Sequence, residues 1–283
     1  MDNLELMKQL PKGKIDLIYI DPPFGIKTDE KFGMIPWNKN NQNKNEVDII
    51  FPTLEKILTK GECNYLRWIY PRLALMRELL SEKGSIYVHT DWHLDSYIKL
   101  ILDNIFGKDR LINEIIWSYQ GTGTPAKGFK HKHDTIYFYS KSDNLIFNEV
   151  AAGEQFGKKQ KVKYTNFDKH KQQYYKEYRH PDGQVYRQYW NDNKFMRLRD
   201  VWEISTIQSW NEKLDYPTQK PEALLERIIK ISSNENSVVA DFFAGSGTTC
   251  AVAKKLNRYY IGCDINKKAI DITKKRLNDE IHS

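Results

Sequence analysis

The chain has 283 residues, 40% of them apolar, and it carries 44 Lys+Arg against 37 Asp+Glu, a formal charge of +7. An apolar fraction of this size can build a sizeable core, and the length allows one large domain or two ordinary ones. No stretch approaches the roughly eighteen consecutive apolar residues of a membrane-spanning helix. The three cysteines (Cys63, Cys250 and Cys263) form no C-x-x-C pair. Their spacing argues against a disulfide framework or a structural zinc site and predicts a reducing, cytoplasmic environment.

The positive charge is concentrated in one region. Residues 118–200 hold 16 Lys+Arg and 9 Asp+Glu, whereas the rest of the chain is balanced at 28 of each. The same region contains 16 of the 36 aromatic residues. One interpretation is a solvated surface in a chain rich in lysine and asparagine. The other is a module that faces nucleic acid, because cations neutralise phosphates and aromatic rings stack on bases.

The first part of the chain predicts alternating strands and helices. The apolar, branched run at 15–20 predicts a buried strand that ends before Pro22 and Pro23, because proline cannot continue a strand ladder. The polar, asparagine-rich stretch at 27–48 has no apolar period and predicts a mobile loop. Further apolar patterns predict a helix at 65–81, a strand at 85–89, a helix at 94–105 and a strand at 114–117.

Regular periodicity is weak from about 118 to 215 and then returns. The later patterns predict a helix at 221–232, a strand at 238–241, a helix at 248–256, a strand at 259–263 and a helix at 267–277. Strands separated by helices of this length indicate parallel crossover units. The sequence therefore predicts an α/β fold with a doubly wound, mostly parallel sheet. Residues 1–117 and 216–283 form this domain in the prediction, and residues 118–215 are inserted into it.

A glycine-rich segment from Asp241 to Thr249 links a predicted strand to a helix, and Asp264 ends the following strand. Glycines at such a turn let the backbone approach a ligand, and an acidic residue at the end of the next strand can bind ribose hydroxyls. Cys250 occupies the place of the third glycine of a dinucleotide fingerprint, and the Gly-Lys-Ser/Thr of a P-loop is missing. The pattern favours a nucleoside-containing ligand without a pyrophosphate, such as S-adenosylmethionine, over an ordinary strand-to-helix turn.

A second candidate site is Asp21-Pro22-Pro23-Phe24 at the end of the first predicted strand. Ligands of open α/β sheets bind beyond this end, although a rigid exit turn with a capping aspartate has the same pattern. The exocyclic amine of adenine is a poor nucleophile because its lone pair is delocalised into the ring. The Asp21 carboxylate and the Pro22 carbonyl can accept its N–H groups and draw the lone pair back, while Phe24 stacks on the base. A base inside a duplex cannot reach such a pocket, so flipping is implied.

The order of these motifs carries a family resemblance. Ile18-Tyr19-Ile20-Asp21-Pro22-Pro23-Phe24 comes first, followed by Tyr216-Pro217-Thr218-Gln219-Lys220-Pro221, the turn at 241–249 and Gly262-Cys263-Asp264. In this order the chain resembles the β-class amino-methyltransferases of DNA, specifically the adenine-N6 enzymes related to modification subunits of type III restriction systems. Ribosomal-RNA guanine methyltransferases use a similar motif but place the cofactor motif first.

The resemblance implies a Rossmann-like methyltransferase fold that uses S-adenosyl-L-methionine and no metal. It implies that Asp21, Pro22, Pro23 and Phe24 hold the target base. It implies that the cofactor contacts Asp2, Lys220, Asp241, Phe243, Gly245, Ser246, Gly247, Thr248 and Asp264. In this scheme Asp264 binds the ribose, and Lys220 lies near the cofactor carboxylate. Met1 stands where the family has a glycine, and Phe24 replaces the commoner Tyr.

The reaction implied is sequence-specific methylation of adenine N6 in double-stranded DNA by direct in-line displacement, with recognition in the inserted region. Methylation of cytosine N4 is the alternative, because it shares this fold and geometry; Asp21 favours adenine, since the cytosine enzymes more often begin the motif with Ser. An RNA methyltransferase and a non-catalytic DNA-binding module are further alternatives. A cognate restriction endonuclease and a homodimer are further partners that the family resemblance implies.

The positions of the cysteines and histidines argue against thiolate catalysis and against a metal site. Methylation of cytosine C5 needs a thiolate, usually after a proline, and none of the three cysteines follows one. No histidine has metal-binding spacing. Four histidines lie in the basic region and are candidates for phosphate contacts: His131, His133, His170 and His180. His89 ends a predicted strand, where it would line a pocket.

Overall fold

The computed structural model describes residues 2–23, 51–120, 127–149, 154–155, 165–189, 195–196, 198–207, 212–214 and 216–279. Phe24 and the predicted loop at 27–48 lie outside these ranges. The chain divides into two compact units, one formed by Met1–Phe147 with Asp200–Ser283 and the other by Asn148–Arg199. The second unit is shorter than the insertion expected at 118–215.

The structure describes twelve strands and six α-helices of five or more residues. The strands are Ile15–Ile20 (β1), Leu80–Thr90 (β2), Leu111–Ser118 (β3), His133–Ser140 (β4), Glu154–Gln155 (β5), Asn166–Asp168 (β6), Gln173–Arg179 (β7), Val185–Tyr189 (β8), Phe195–Met196 (β9), Val201–Glu203 (β10), Val238–Asp241 (β11) and Tyr259–Gly262 (β12). The helices are Asn3–Met7 (α1), Lys60–Leu79 (α2), Asp95–Phe106 (α3), Glu222–Ser232 (α4), Thr248–Lys255 (α5) and Lys267–Asp279 (α6). None of the described helices is both long enough and apolar enough to cross a bilayer.

The first unit is built on one seven-stranded sheet in the order β10-β3-β4-β2-β1-β11-β12. Pairs β1–β2, β1–β11, β11–β12 and β3–β10 are parallel, and β4 runs antiparallel to both β2 and β3. The sheet is therefore mostly parallel and is interleaved with helices along the chain. This arrangement confirms the predicted α/β class.

The core lies around the central strands. Leu17, Ile18 and Ile20 of β1 are fully buried, as expected for an apolar run with neighbours on both edges. Helix α2 begins with a capping box in which Thr59 and Glu62 satisfy each other's backbone amides. Its apolar side chains pack against the same core as β1. The strand that carries the Asp-Pro-Pro motif is thus held firmly on both sides.

Strands β4 and β10 lie within the 118–215 region but belong to the main sheet. β4 pairs with β2 from Ser85↔Ser140 to Thr90↔Thr135, and β10 pairs with β3 through Trp202↔Trp117. The apolar run 135–139 of β4 is visible in the sequence, but the charged segments around both strands gave no sign that they join the main sheet. The second unit, described by itself, contains the two-stranded sheet β5-β9 and the three-stranded sheet β6-β7-β8.

Candidate active site

The carboxyl ends of β1 and β11 lie side by side. The two strands pair in parallel, with Leu17 opposite Val239 and Ile18 opposite Ala240. Asp21 follows β1 and Asp241 ends β11, so the two sequence motifs emerge at the same edge of the sheet. Ligands of open parallel sheets bind beyond this edge, particularly between strands whose connections diverge.

The Asp21 carboxylate uses its two oxygens differently. Oδ2 accepts a hydrogen bond from the Lys220 ammonium, in an ion pair whose side chains are only 14% (Lys220) and 15% (Asp21) exposed. Oδ1 is buried and has no hydrogen-bond partner among the described residues. A buried acceptor without a donor is costly unless a ligand satisfies it. Pro22, which follows, is buried and Pro23 is half-buried, so the segment that presents Asp21 is rigid.

Lys220 links the two motifs. Its ammonium binds Asp21, while its backbone carbonyl accepts a hydrogen bond of 3.2 Å from Thr248 Oγ1 in the glycine-rich turn. Pro221 is buried and directly precedes α4, which fixes the direction of the chain here. In the structure the charge of Lys220 is paired with the carboxylate of Asp21. The expected place of Lys220 near a cofactor carboxylate stays a prediction.

The turn between β11 and α5 depends on two glycines. Gly245 and Gly247 have φ angles of +51° and +75°, in the region that side-chain-bearing residues rarely adopt. A Cβ atom on Gly247 would lie 2.5 Å from Cγ2 of Thr273 on α6. A Cβ atom on Gly245 would lie 3.1 Å from the ring of Tyr216. The backbone of this turn therefore approaches its neighbours more closely than any other residue type would allow.

Asp241 holds the turn together from inside. Its Oδ1 accepts a hydrogen bond of 2.9 Å from the Phe243 amide, and its Oδ2 accepts one of 2.6 Å from Thr249 Oγ1. Burial raises the pKa of Asp241 to about 7, with the nearby Asp21 and Asp264 charges acting in the same direction and the two hydrogen bonds opposing them. Each oxygen already has a partner within the turn, so this side chain acts first as a scaffold.

Asp264 connects the end of β12 to the same turn. Its Oδ2 accepts a hydrogen bond of 2.9 Å from the Gly245 amide, and its Oδ1 accepts one of 2.8 Å from the Asn266 amide. The side chain is half-buried. Each carboxylate oxygen retains a second lone pair, so Asp264 can accept a ligand hydroxyl without giving up these bonds.

Three other predicted cofactor residues face the protein itself. The Ser246 and Thr248 hydroxyls are buried and lie 3.3 Å apart, and Thr248 Oγ1 also accepts a hydrogen bond of 3.0 Å from Arg276. Phe243 packs against Trp68 of α2, with ring centroids 5.8 Å apart. These contacts fix the shape of the turn.

A buried arginine that the sequence did not single out holds the residues near the start of the chain beside the glycine-rich segment. Arg72 of α2 donates to Asp2 Oδ2 (2.9 Å) and Asn3 Oδ1 (2.8 Å), and Asn3 Nδ2 donates to the Phe242 carbonyl (2.9 Å). Asn3 therefore contacts the glycine-rich segment, and Asp2 is joined to it through Arg72; the cofactor contact expected of Asp2 stays a prediction. An arginine on the apolar face of a predicted helix was the available signal, because a buried charge requires a partner.

A buried polar chain that the sequence did not predict links β1, β2 and β4 near the ends of the first two strands. His89 is fully buried at the end of β2, with Nδ1 2.9 Å from the Tyr19 hydroxyl and Nε2 3.0 Å from Asp134 Oδ2. The Tyr119 hydroxyl donates to Asp134 Oδ1 at 3.2 Å. Burial works to raise the pKa of Asp134, but the hydrogen bond and charge of His89, with the charge of Lys220, outweigh it and lower that pKa. His89 therefore supports the strand ends instead of facing a ligand pocket.

All three cysteines are buried thiols. Burial raises the pKa values of Cys63, Cys250 and Cys263, so the thiolate that nucleophilic catalysis needs is disfavoured at each position. A Cβ atom on Gly262 would lie 2.6 Å from Cys250 Sγ, which places Cys250 in the packing behind the turn.

The fold is that of known DNA methyltransferases. The structure matches the PvuII DNA methyltransferase, described as cytosine-N4-specific, with a TM-score of 0.63 and 15% identity over 98% of this chain and 84% of that one. It also matches the M1.HpyAVI–SAM complex, with a TM-score of 0.56 and 21% identity over 98% of this chain and 97% of that one. The Rossmann-like fold predicted from the sequence is therefore confirmed.

The sequence profile of the N6/N4 DNA methylases matches residues 15–275, and the chain belongs to this family. Its relatives include the type II methyltransferase M.HpaI of Haemophilus parainfluenzae, 31% identical over 99% of this chain and 73% of the relative. The DNA adenine methyltransferase YhdJ of Escherichia coli K12 is 30% identical over 99% of this chain and 82% of the relative. The protein is thus a DNA methyltransferase of the N6/N4 class.

Proposed function

We propose that this enzyme transfers a methyl group from S-adenosyl-L-methionine to the N6 atom of adenine in a specific DNA sequence. The observation that carries the proposal is the buried Oδ1 of Asp21, at the head of the Asp-Pro-Pro-Phe motif, which has no hydrogen-bond partner within the described part of the chain. This oxygen supplies a fixed acceptor for an exocyclic N–H group. Asp21 in place of the Ser that more often begins the motif in cytosine-N4 enzymes favours adenine.

The residues at the sheet edge fit the donor. S-adenosyl-L-methionine supplies an electrophilic methyl group on a cationic sulfur. Asp21, Asp241 and Asp264 form a cluster close enough for Asp21 and Asp264 to raise the pKa of Asp241, and such a negative field suits a cation. Asp264 retains acceptor capacity for ribose hydroxyls, and Gly245 and Gly247 leave the turn without side chains that would block approach. The direct cofactor contacts of Asp2, Lys220, Asp241, Phe243, Ser246 and Thr248 stay proposals.

The chain's own residues orient the target amine. Asp21 Oδ1 and the Pro22 carbonyl accept its two N–H groups, which turns the nitrogen lone pair toward the methyl group. Bound S-adenosyl-L-methionine would supply the methyl group for in-line displacement by this nitrogen; S-adenosyl-L-homocysteine would be the leaving group, and the nitrogen would lose one proton. Lys220 holds Asp21 Oδ2 in place during this process. Pro23 limits movement of the motif, and Phe24 stacks on the flipped base.

In this proposal the region 118–215 recognises the target sequence. The excess of basic over acidic residues in this region is concentrated in the second unit. Residues 148–199 hold 12 Lys+Arg against 6 Asp+Glu, so they carry nearly the whole surplus of the chain. The motif order supports placement in the β class and a relationship to type III modification subunits. A cognate restriction endonuclease and a homodimer stay predictions from the resemblance, as does a cytoplasmic location.

The proposal is tested by incubating unmethylated duplex DNA with labelled S-adenosyl-L-methionine and digesting the product to nucleosides. We expect label in N6-methyladenine. Label in N4-methylcytosine alone would replace the proposal with the cytosine alternative. Competition with structured RNA should leave transfer to DNA unchanged, and preferential labelling of the RNA would reassign the substrate.

A further inference from the structure

A stack of three aromatic rings, formed by Trp92, His93 and His131 and called here the Trp92 stack, lies on the surface of the first unit. The indole of Trp92 lies 3.7 Å from the His93 ring and 4.5 Å from the His131 ring, measured between centroids, with interplanar angles of 26° and 15°. Trp92 is nevertheless 48% exposed. About half of this large apolar side chain is therefore in contact with water.

The Trp92 stack is on the same edge of the sheet as Asp21. Trp92 and His93 follow the end of β2 at Thr90 after one intervening residue, and the β1–β2 register places Val88 opposite Ile20, the residue before Asp21. His131 precedes β4, whose pairing with β2 ends at Thr90↔Thr135. β1 and β2 run parallel, so the residues that follow them leave the sheet at the same edge.

The Trp92 stack is rigid before any ligand binds. Asp91 Oδ2 lies 2.6 Å from His93 Nδ1, and Asp91 Oδ1 accepts the His93 amide hydrogen at 3.2 Å. His93 is thereby fixed against Trp92, and His131 stacks on the same indole from the other segment. A preorganised aromatic surface pays little entropy when a flat ligand adds to it.

The chemistry around the Trp92 stack fits nucleic acid. The segment 127–133 contains three lysines, two histidines and Phe129 but no acidic residue. Lys127 and Lys130 are exposed, and Phe129 is 95% exposed. Cations beside an exposed aromatic surface are complementary to phosphates beside bases.

We propose that the Trp92 stack binds a nucleobase of the substrate DNA that lies beside the target base. When the target base is flipped out, its neighbour loses a stacking partner, and Trp92 and the two histidines replace that partner. The proposal rests on the proposed function, because it requires DNA at this edge of the sheet. It assigns Trp92 as a DNA-binding residue outside the pocket formed by Asp21 and the glycine-rich turn.

The test compares Trp92→Ala and Trp92→Phe on a duplex that contains the enzyme's own methylation site. Loss of a stacked base costs roughly tenfold in affinity. We expect Trp92→Ala to raise the KM for DNA by about that factor, and Trp92→Phe to keep most of the affinity because a flat ring remains. Tyr259→Ala is the matched control, since Tyr259 is 64% exposed and lies at the opposite end of its strand from Asp264. It should leave the KM for DNA unchanged.

A second readout reports stacking directly. 2-Aminopurine is placed in turn at the position 5′ to the target, at the position 3′ to it and opposite to it. At one of these positions the complex with Trp92→Ala should be brighter than the wild-type complex. Equal fluorescence at all three positions, or an unchanged KM for DNA, overturns the proposal. So does a loss of affinity for S-adenosyl-L-methionine or of thermal stability that matches the loss of DNA binding. A wild-type enzyme that methylates no DNA overturns the proposed function as well, whereas indifference to Trp92→Ala overturns this inference alone.

Discussion

At the scale of single residues, the chemistry depends on the different partners of the two oxygens of one carboxylate. Asp21 gives Oδ2 to Lys220 and keeps a buried Oδ1 without a partner among the described residues. The ion pair restricts rotation of the carboxylate, so the vacant acceptor points in a fixed direction. Preorganisation of this kind is worth more in a site shielded from water than on an exposed surface.

Asp21→Ala should lower kcat by about a hundred- to a thousandfold, because loss of one preorganised hydrogen-bonding group has an effect of that size. Affinity for S-adenosyl-L-methionine should change little by comparison. Single-turnover rates and equilibrium cofactor binding measure the two effects separately. Asp271→Asn, which alters an exposed carboxylate on α6, is the control and should match the wild type. Wild-type turnover by Asp21→Ala would remove Asp21 from the mechanism.

Asp241 predicts a pH dependence of stability. Its pKa is raised from 3.8 to about 7 by burial, so the folded state binds the proton more tightly than the unfolded state does. The associated stability is present below pH 3.8 and is lost as pH rises through about 7. Asp241→Asn cannot titrate, so the wild type should lose stability relative to this variant as pH rises across that window, by at most about 1.4 kcal/mol per pH unit. Denaturant titrations at several pH values measure the difference, and parallel curves for the two proteins would contradict it.

At the scale of elements, the turn between β11 and α5 depends on its contact with α6. Gly247→Ala adds a Cβ atom 2.5 Å from Thr273 and also strains a φ angle of +75°. Gly183 has a φ angle of +88° but open space around it. Gly247→Ala should therefore destabilise the protein by more than the 1 kcal/mol or so that positive φ alone costs, and it should also weaken cofactor binding.

Gly183→Ala is the matched control for that measurement, because it carries the backbone strain without the collision. Thermal unfolding and cofactor titration of both variants separate the two contributions. Equal destabilisation by both substitutions, with unchanged cofactor affinity, would show that the approach of α6 does not shape the turn.

Much of the framework was predictable from sequence because its signals are local. The strand 238–241 was placed at its observed bounds, since a dense apolar run is followed at once by a glycine-rich turn. The start of β2 was not. The helix was predicted to reach residue 81 and the strand to begin at 85, but pairing with β1 begins at Leu80, with a register shift before Ser85. A Cβ atom on Gly84 would lie 2.8 Å from the Ile15 carbonyl oxygen, so this glycine serves a close approach between strands.

The candidate site was predictable only in part, for a related reason. Asp21, the glycines of the turn after β11 and Asp264 all follow strand ends, and the sequence pattern predicts where strands end. The partners that connect them come from distant positions. Lys220 lies 199 residues from Asp21, and Arg72 lies 70 residues from Asp2. Such pairs are set by tertiary packing, which no local pattern records.

At the scale of the whole molecule, charge and chemistry are divided between the two compact units. The unit with the candidate site is nearly neutral by count, whereas 148–199 carries 12 Lys+Arg against 6 Asp+Glu. Its three-stranded sheet places the half-exposed aromatic residues Phe167, Tyr174, Tyr178 and Tyr186 at alternating positions that share one face. Exposed aromatic rings beside cations are complementary to the bases and phosphates of nucleic acid.

Changing Lys169 and Lys171 to Gln should weaken DNA binding and make it less sensitive to salt. Each phosphate contact that is lost lowers the slope of log affinity against log salt by roughly 0.9. Both lysines are exposed in the second unit. The same changes at Lys274 and Lys275, exposed on α6, are the control. Titration of DNA at several salt concentrations measures the slope, and equal slopes in both double variants would contradict a DNA-binding role for the second unit. Cofactor affinity should stay constant in both.

The central claim is that the enzyme methylates adenine N6 in one DNA sequence. Single-molecule sequencing of DNA from a methylation-free host that expresses this chain reports the modified base and its context together. We predict N6-methyladenine at a single recurring sequence, and its loss when the host expresses Asp21→Ala. N4-methylcytosine at a recurring sequence, or DNA without modification, would contradict the claim.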